Sequence, residues 1–448
     1  MEKVTGRSRV NLPPHGREPR DLIGDELPLV ILSIMPNARK PPPYAEWLLV
    51  AALAGLAVLA RRAGWFIKTN DTTIFMQWVG QMRAAGGWRG IGHEIGNYNA
   101  PFLYLLAAVI YLPGPVLLKI KAIFVVFDLV LAFFTYKIVG LRFDGRRVPA
   151  AAALAVLLLP TVVINASWYG QMDAMWASFA LGGVYFLMRD RPWVAVSLCA
   201  VSLAIKPQGI FIFPLLLLLA LGGRLRWRTL LAVPAVFLLL DIPALLAGRS
   251  PMDLLTVYDM DRQAAHVPTL TSRAPSLYAF IQAGPRAETV RVLGYVFTAA
   301  VILGILYVLI IRNVRITRDR LVTYAALFAI AMPFLLPGMH ERYFFLADVT
   351  TVLLAIHKPR FWPVPLLVQA ASLLCYEPYL FGGRSPQMLP LTVPATLMLA
   401  ALVTVLHHVL KDAFDLDSPE VPDTPAELEE EISRPAAERP APLPARRA

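Results

Sequence analysis

Three ionisable residues, His340, Glu341 and Arg342, stand side by side between two apolar segments in AMPFLLPGMHERYFFLADV (331–349). Charge is costly near the hydrocarbon of a membrane, so such a cluster is a functional candidate by default. The imidazole and the guanidinium can both give charge-assisted hydrogen bonds to a phosphate, and Glu341 could orient a partner. The pattern indicates an anion site, with a structural ion pair at a helix end as the alternative.

A single carboxylate, Asp71, follows the first apolar segment in the stretch TNDTTIFMQW. A carboxylate held at the membrane surface could act as general base for a sugar hydroxyl. The alternative is a helix N-cap, because an aspartate placed before the amphipathic run that contains Ile74 and Phe75 caps well. Spacing alone favours the cap, and the two roles do not exclude each other.

Gln171 and Asp173 in WYGQMDAMW (168–176) provide polar groups at a predicted helix start, framed by aromatic residues such as Trp168. Clustered aromatic residues form an interfacial belt in many membrane proteins, and they also suit stacking against sugar rings. Both interpretations stay open here.

Lys206 lies between two apolar segments, where Pro207 is expected to break the helix. Its ammonium would help to hold an anion if it points inward, and the alternative is snorkelling to the interface. Asp128 and Asp241 stand deep within apolar runs. For both we expect a hydrogen bond to a neighbouring helix, with a role in a proton relay as the weaker alternative.

The composition indicates the class of protein to which these polar residues belong. Of the 448 residues, 57% are hydrophobic and only 16% are charged, with a mean hydropathy of +0.57. A soluble protein of this size has about 25% charged residues. We therefore predict an all-α polytopic membrane protein with about 12 transmembrane helices, within a range of about 11–13.

The apolar segments set the predicted helices, and 99–113 is the exception. That segment is short and closed by Pro-Gly-Pro, which favours an interfacial or re-entrant element in the first outer loop. The predicted helices lie near 44–61, 118–139, 149–164, 173–188, 192–205, 209–222, 229–247, 291–311, 321–337, 344–357, 361–375 and 388–410.

The basic residues predict the orientation in the membrane. Short loops near 142–147, 189–191, 224–228, 312–320 and 358–360 are rich in arginine, as cytoplasmic loops are under the positive-inside rule. The net charge of +11 is therefore a topology signal and does not indicate nucleic acid. The polar motifs fall on the other side, where Arg61, Arg62 and Lys206 suggest either an anionic ligand or contact with lipid headgroups.

Three parts of the chain follow from this topology. Residues 1–43 form a cytoplasmic N-terminal segment, 44–411 the membrane domain, and 412–448 a disordered cytoplasmic tail rich in Pro, Ala and Glu. Both termini are thus predicted in the cytoplasm.

Several function classes are disfavoured by missing motifs. The sequence has no Walker A, HExxH or GxSxG element, and Cys199 and Cys375 offer neither a disulfide framework nor metal-ligand spacing. A transporter or lipid flippase is the main rival, although no convincing internal repeat is visible. A non-catalytic scaffold is disfavoured because several polar motifs converge on one face.

The motifs together resemble the GT-C superfamily of membrane glycosyltransferases, and most closely its bacterial proteins related to the second mannosyltransferase of GPI-anchor synthesis. The resemblance covers roughly 65–350. It is carried by TNDTTIFMQW, NYNAPFLYLL (97–106), WYGQMDAMW, AIKPQGIFIFP (204–214), APSLYAF (274–280) and MHERYFF (339–345). Two motifs depart from the common pattern, since Tyr98 is followed by Asn-Ala-Pro, and Trp168 by Tyr-Gly-Gln.

The resemblance implies an inverting hexosyltransferase that moves a sugar, by expectation mannose, from a polyprenyl-phosphate carrier to a lipid or glycan acceptor. It also implies that the active site faces the outer side of a bacterial plasma membrane. Asp71 would be the catalytic base, and His340 and Arg342, with Lys206, would bind the donor phosphate. Glu341, Gln171, Asp173, Trp168 and Tyr98 would contact substrate.

No metal is expected in this scheme, because the donor lacks a diphosphate. A divalent ion bound by Glu94, Asp259 and Asp261 in the outer loops is the alternative.

Overall fold

The structure is a computed structural model that describes residues 43–259, 269–380 and 388–414. The chain divides into two units, Met1–Ala51 and Ala52–Ala448. In the first unit the described residues are helical, and every residue of the candidate site belongs to the second. The predicted N-terminal segment and tail lie outside the described residues, apart from Pro43 and the last three residues of the final helix.

The described chain is helical almost throughout, which confirms the predicted all-α class. Each of the predicted helices has a helical counterpart. The helices are α1 Pro43–Gly64, α2 Asn70–Ala84, α3 Ala100–Val109, α4 Val116–Val139, α5 Arg147–Leu158, α6 Pro160–Val163, α7 Asp173–Met188, α8 Pro192–Ile205, α9 Phe213–Leu221, α10 Ala232–Leu246, α11 Pro251–Leu255, α12 Ala287–Ile311, α13 Arg318–Leu335, α14 Phe345–His357, α15 Pro363–Leu380 and α16 Thr392–Phe414.

Short elements connect these helices. A π-helix spans Ile164–Tyr169. The strands β1 Thr271–Ser272 and β2 Met339–His340 pair in parallel. The 3₁₀ helices are Gly87–Gly92, Pro207–Ile212, Trp227–Leu231, Leu277–Phe280, Gly284–Arg286 and Pro359–Phe361.

Long apolar helices support a membrane location. Within the described residues, 4 helices are long and apolar enough to cross a bilayer, or 5 if the bent pair of α5 with Pro160–Tyr169 counts as one span. Large apolar side chains are exposed along them, among them Leu246, at 85%, and Val296, at 63%. Exposed apolar surface of this extent is typical of contact with lipid. The number of spans stays a prediction.

The loop after α1, which the sequence predicts on the outer side, contains two helices. Helix α2 is amphipathic and buries Phe75, Val79 and Met82. Helix α3, within the segment 99–113, has 10 residues and is too short to cross a bilayer. Their depth relative to a membrane stays a prediction.

Two helices are buried on nearly all sides and form the core. Helix α7 packs against α4 and α8, and its Trp176 is fully buried. Helix α13 is similarly enclosed, with Phe328 and Phe334 in the core. A helix that is apolar all round must be surrounded by protein or lipid. The start of α7 and the loop after α13 are therefore attached to two of the most buried helices of the fold.

Arg61 does not face a ligand or headgroups, contrary to both alternatives from the sequence. Its side chain is buried, donates to Asp128 Oδ2 at 2.8 Å and also donates to the Leu157 carbonyl at 2.9 Å. A buried charge needs a partner, and this pair joins α1, α4 and α5. Asp128 thus makes the expected helix-to-helix bond. Asp241 of α10 is buried with Asn99 as a polar neighbour, without a hydrogen bond of normal geometry between them.

Candidate active site

Asp71 occupies the first turn of α2 and is not its N-cap. Thr69 is the N-cap, and its hydroxyl and that of Thr72 form a reciprocal capping box. The Thr69 hydroxyl also donates to the Tyr169 carbonyl at 2.6 Å, which ties the start of α2 to the π-helix. The cap interpretation from the sequence is therefore wrong, because the threonines satisfy the helix end and the Asp71 carboxylate is available for other contacts.

Three distant segments meet at the Asp71 carboxylate. Gln171 donates its side-chain amide to Asp71 Oδ2. The Arg342 Nη2 atom lies 3.5 Å from the same oxygen. The Asp71 side chain remains 21% exposed, so the carboxylate is anchored on one oxygen and still reachable from outside.

Gly170 allows Gln171 to reach the Asp71 carboxylate. The chain leaves the π-helix through Gly170 with φ of +74°, in the left-handed region that favours glycine. A Cβ at this position would lie 2.2 Å from Thr72 Cγ2. Only glycine lets the loop pass the start of α2 and bring Gln171 to Asp71. π-helical turns of this kind are frequent at functional sites.

Asp173 begins α7, and its carboxylate, like that of Glu341, is fully buried. Its Oδ1 atom lies 2.5 Å from Lys206 Nζ and accepts from Trp176 Nε1 at 3.0 Å. Its Oδ2 atom accepts from Asn165 Nδ2 at 2.8 Å and lies 3.8 Å from Arg342 Nε. These donors satisfy a buried charge that would otherwise be unstable.

Lys206 directs its charge into the protein. It caps the end of α8, which stops at Ile205 just before Pro207, as the sequence predicts. Only 1% of the residue is exposed. Besides Asp173, the ammonium lies over the rings of Tyr98 at 5.6 Å and Tyr343 at 5.7 Å. These contacts replace the solvent around the charge.

The segment 340–342 follows β2 and brings its charges together. Glu341 Oε1 accepts from Arg342 Nη1 at 2.7 Å and from the Tyr169 hydroxyl at 3.0 Å. His340 Nδ1 lies 3.5 Å from Glu341 Oε2, and its side chain is 23% exposed. The structure therefore contains the ion pair that the sequence offered as an alternative, at the edge of the same cluster.

The electrostatics of Glu341 follow from these contacts. Burial raises the pKa of its carboxyl, but the neighbouring Arg342 guanidinium and His340 outweigh burial and lower the pKa to about 2. For Arg342, burial lowers the pKa, while Asp71 and Glu341 raise it well above its usual range. Both side chains are charged at neutral pH.

A cavity of about 330 Å³ opens at Asp71. Its volume lies at the lower end of the range of about 300–1,000 Å³ typical of small-molecule sites. Its lining residues are Lys68, Thr69, Asn70, Asp71, Thr73, Tyr169, Arg273, Pro378 and Tyr379.

A larger cavity, of about 450 Å³, lies in a different part of the structure. It is lined by residues such as Leu218, Arg224 and Asn313 and has no carboxylate in its lining. Because it offers no general base, the cavity at Asp71 is the better candidate for chemistry.

The structure brings most of the predicted site residues into one cluster. Asp71, Gln171, Asp173, Lys206, Glu341 and Arg342 are connected by the contacts above, and His340 and Tyr98 border them. Trp168 lies apart from these contacts. Its indole donates to the Ala60 carbonyl at 3.0 Å, and its ring fills the space that a Cβ at Gly64 would need.

Three residues at or beside the site, Asn165, Tyr376 and Lys121, are not predicted by the sequence. Asn165 lies three residues before the motif that contains Gln171, and its role depends on the π-helix, which the sequence pattern does not reveal. Tyr169 belongs to that motif as one of its aromatic residues, but its bond to Glu341 is not predicted. The Tyr376 hydroxyl of α15 accepts from Asn165 Nδ2 at 2.8 Å. Lys121 of α4 is buried and donates to the carbonyls of Gly64, Ile67 and Ser167; its position within an apolar run is the only signal in the sequence.

Glu94, Asp259 and Asp261, which the sequence predicts in the outer loops, are the candidates for metal ligation. Within residues 43–259, 269–380 and 388–414, no three His, Cys, Asp or Glu side chains are placed to hold a metal ion. Asp261 lies outside the described residues.

Comparisons with known proteins give a similarity in structure. No protein-family model and no curated protein matches the sequence. Among solved structures, the chain is similar to the Archaeoglobus fulgidus oligosaccharyltransferase in the apo form, with 12% identity and a TM-score of 0.42. The match covers 83% of this chain and 56% of that one, so the chain spans about half the length of that protein. A likeness of this size leaves the function to be judged from the side chains.

Proposed function

We propose that this protein is a membrane glycosyltransferase that moves a sugar from a polyprenyl-phosphate carrier to a hydroxyl of a lipid or glycan acceptor. The observation that carries the proposal is the meeting of Asp71 with Arg342, 3.5 Å apart, at a cavity of small-molecule size. Such a site offers a base and fixed cations to one reacting molecule.

Asp71 acts as the general base in this reaction. Both of its contacts within the cluster fall on Oδ2, so Oδ1 is the oxygen that accepts the proton of the acceptor hydroxyl. As that proton leaves, the hydroxyl oxygen forms a bond to the anomeric carbon. The bond from the anomeric carbon to the phosphate oxygen breaks, and its electron pair stays on the departing polyprenyl phosphate. Attack opposite the leaving group inverts the anomeric centre.

Arg342 and His340 are proposed to stabilise the negative charge that develops on the departing phosphate. Fixed cations placed beforehand stabilise a transition state with little reorganisation, and this stabilisation often contributes most of the catalysis. Arg342 is held in place by Glu341 and Tyr169, because its Nη1 atom contacts both. Tyr169 and Tyr379, which line the cavity, offer aromatic surface to a sugar ring.

Mannose is the proposed sugar, and it rests on the family resemblance alone. The test uses purified protein in lipid nanodiscs with synthetic polyprenyl-phosphate mannose or glucose and a lipid extract as acceptor. Release of polyprenyl phosphate with transfer of the sugar supports the proposal. Absence of release from every donor, together with movement of the donor between leaflets of proteoliposomes, would overturn it in favour of a flippase.

The site is proposed to face the outer side of the membrane, with both termini in the cytoplasm. Cys199 and Cys375 are buried, so single cysteines can be introduced without removing them. A membrane-impermeant maleimide applied to intact cells should label a cysteine at the exposed position Lys68 and spare one at the exposed position Arg226. The opposite labelling pattern would place the cavity in the cytoplasm.

A further inference from the structure

The charges in the inner cluster do not favour a phosphate by themselves. Asp71, Asp173 and Glu341 contribute three carboxylates, and Arg342 and Lys206 contribute two cations paired with them. Even with His340 protonated, the charges of these six side chains sum to zero, and the nearby Lys121 ammonium donates to three backbone carbonyls. A departing phosphate gains negative charge, so the reaction needs positive charge beyond this cluster.

Two cations of the cavity lining are available for that purpose. Lys68 and Arg273 both line the cavity that contains Asp71, and both are exposed. In the part of the chain that the structure describes, neither has a carboxylate partner. A cation that is not neutralised at a cavity wall attracts an anion more strongly than one already in an ion pair.

The surroundings of Arg273 hold its guanidinium at this place. The residue directly follows β1 and forms an antiparallel bridge with His340. The Thr271 hydroxyl accepts from the Ala274 amide at 3.0 Å, which closes the turn around Arg273. The guanidinium lies over the Tyr379 ring, 5.6 Å from its centroid. These contacts fix its position without using its charge-assisted hydrogen bonds.

The backbone of Arg273 is also unusual. Its φ is +58°, in the left-handed region that L side chains other than Asn and Asp rarely adopt. Such a conformation is unfavourable for arginine and tends to occur at functional sites. Glycine or asparagine would be easier to place there, which favours a role for the arginine side chain.

We infer that Lys68 and Arg273 form the anion subsite that receives the phosphate of the lipid-linked donor at the mouth of the Asp71 cavity. The ligand class is a phosphodiester or phosphomonoester attached to a long apolar chain. Lys206 then serves mainly to position Asp173, and Arg342 adds its charge to that of the subsite as the phosphate departs. The inference rests on the proposed function and deepens it.

The test measures binding separately from turnover. Affinities of the purified protein in nanodiscs are compared for polyprenyl phosphate and for the uncharged polyprenol. The variants are Arg273→Asn, which suits the left-handed backbone and removes the charge, Lys68→Ala, and Arg273→Lys. Arg286→Ala is the matched control, because Arg286 is an exposed arginine that follows the same loop but is not part of the cavity lining.

We expect Arg273→Asn and Lys68→Ala each to weaken binding of polyprenyl phosphate by about tenfold or more. This is the change in affinity that the loss of one charge-assisted hydrogen bond produces. Binding of polyprenol should not change, Arg273→Lys should retain most of the affinity, and Arg286→Ala should match the wild type. Unchanged phosphate binding in the Lys68→Ala/Arg273→Asn double variant would overturn the inference and leave the proposed function standing. A wild type that binds phosphate no better than polyprenol would overturn the proposed function itself.

Discussion

The Oδ2 atom of Asp71 lies 3.5 Å from Nη2 of Arg342, although Asp71 lies in α2 and Arg342 lies just before α14. The two are separated by most of the membrane domain in sequence. The Asp71 carboxylate is partly exposed and can reach a substrate, whereas the Arg342 guanidinium is buried and held in place by its partners. Substitution of Asp71 should therefore act mainly on turnover, and substitution of Arg342 on stability as well as turnover.

Replacing Asp71 by asparagine tests the general base. Asparagine keeps the size of the side chain and its position near Gln171 but cannot accept the acceptor proton. We expect kcat to fall by about 10²–10⁴-fold, the usual contribution of general-base catalysis, with donor affinity largely retained. The matched control is Asp190→Asn, at an exposed turn with φ of +53° that asparagine tolerates, and it should keep full activity. Wild-type turnover in Asp71→Asn would remove Asp71 from the mechanism.

The Glu341–Arg342 pair should be coupled in its effect on stability. Arg342→Met leaves the buried Glu341 carboxylate without its main partner, and removing one member of a buried pair costs about 3–5 kcal/mol. Glu341→Gln should also destabilise, since it leaves the guanidinium undercompensated. The double variant should lose clearly less stability than the sum of the two single variants, as interacting residues do. Thermal unfolding of the four proteins measures this, and strictly additive losses would show that the pair contributes no interaction.

The same pair predicts a dependence of stability on pH. The folded pKa of Glu341 is about 2, below the ordinary value of 4.5. A depressed carboxyl pKa contributes stability that is fully present above the unfolded pKa and is lost as pH falls toward the folded one. The difference in unfolding temperature between the wild type and Glu341→Gln should therefore be constant from neutral pH to about pH 5, and shrink below that. A difference that stays constant down to pH 3 would contradict the depressed pKa.

The sequence predicts the helical architecture well because long apolar runs bounded by Pro, Gly and Arg leave few alternatives. It also identifies Lys206 and Asp173 as polar groups of interest, since each stands at the end of an apolar run. It does not predict that they pair with each other, because that depends on how α7 packs against α8.

Other features of the site depend on local geometry that no periodicity reveals. The N-cap of α2 is Thr69, since a capping box with Thr72 competes successfully with Asp71. Arg61 is buried because Asp128 lies opposite it on α4. Tyr169 enters the cluster by donating to Glu341, whereas Trp168 donates to the Ala60 carbonyl, and both belong to a π-helix that the sequence pattern does not reveal.

Gly170 provides the sharpest test of how the site is assembled. Gly170→Ala places a Cβ 2.2 Å from Thr72 Cγ2 and forces a left-handed φ on alanine, which costs about 1–2 kcal/mol before the clash is counted. We expect lower thermal stability and a larger loss of activity, because Gln171 can no longer reach Asp71.

The second variant of this test is Thr72→Ser, which removes Cγ2 but keeps the hydroxyl that completes the capping box with Thr69. Alone it should be close to the wild type. Combined with Gly170→Ala it should restore part of the stability and activity, since the clash is relieved while the backbone strain remains. If Thr72→Ser gives no rescue, the contact between these two positions does not determine the geometry of the site, and the strain at residue 170 must account for the whole effect.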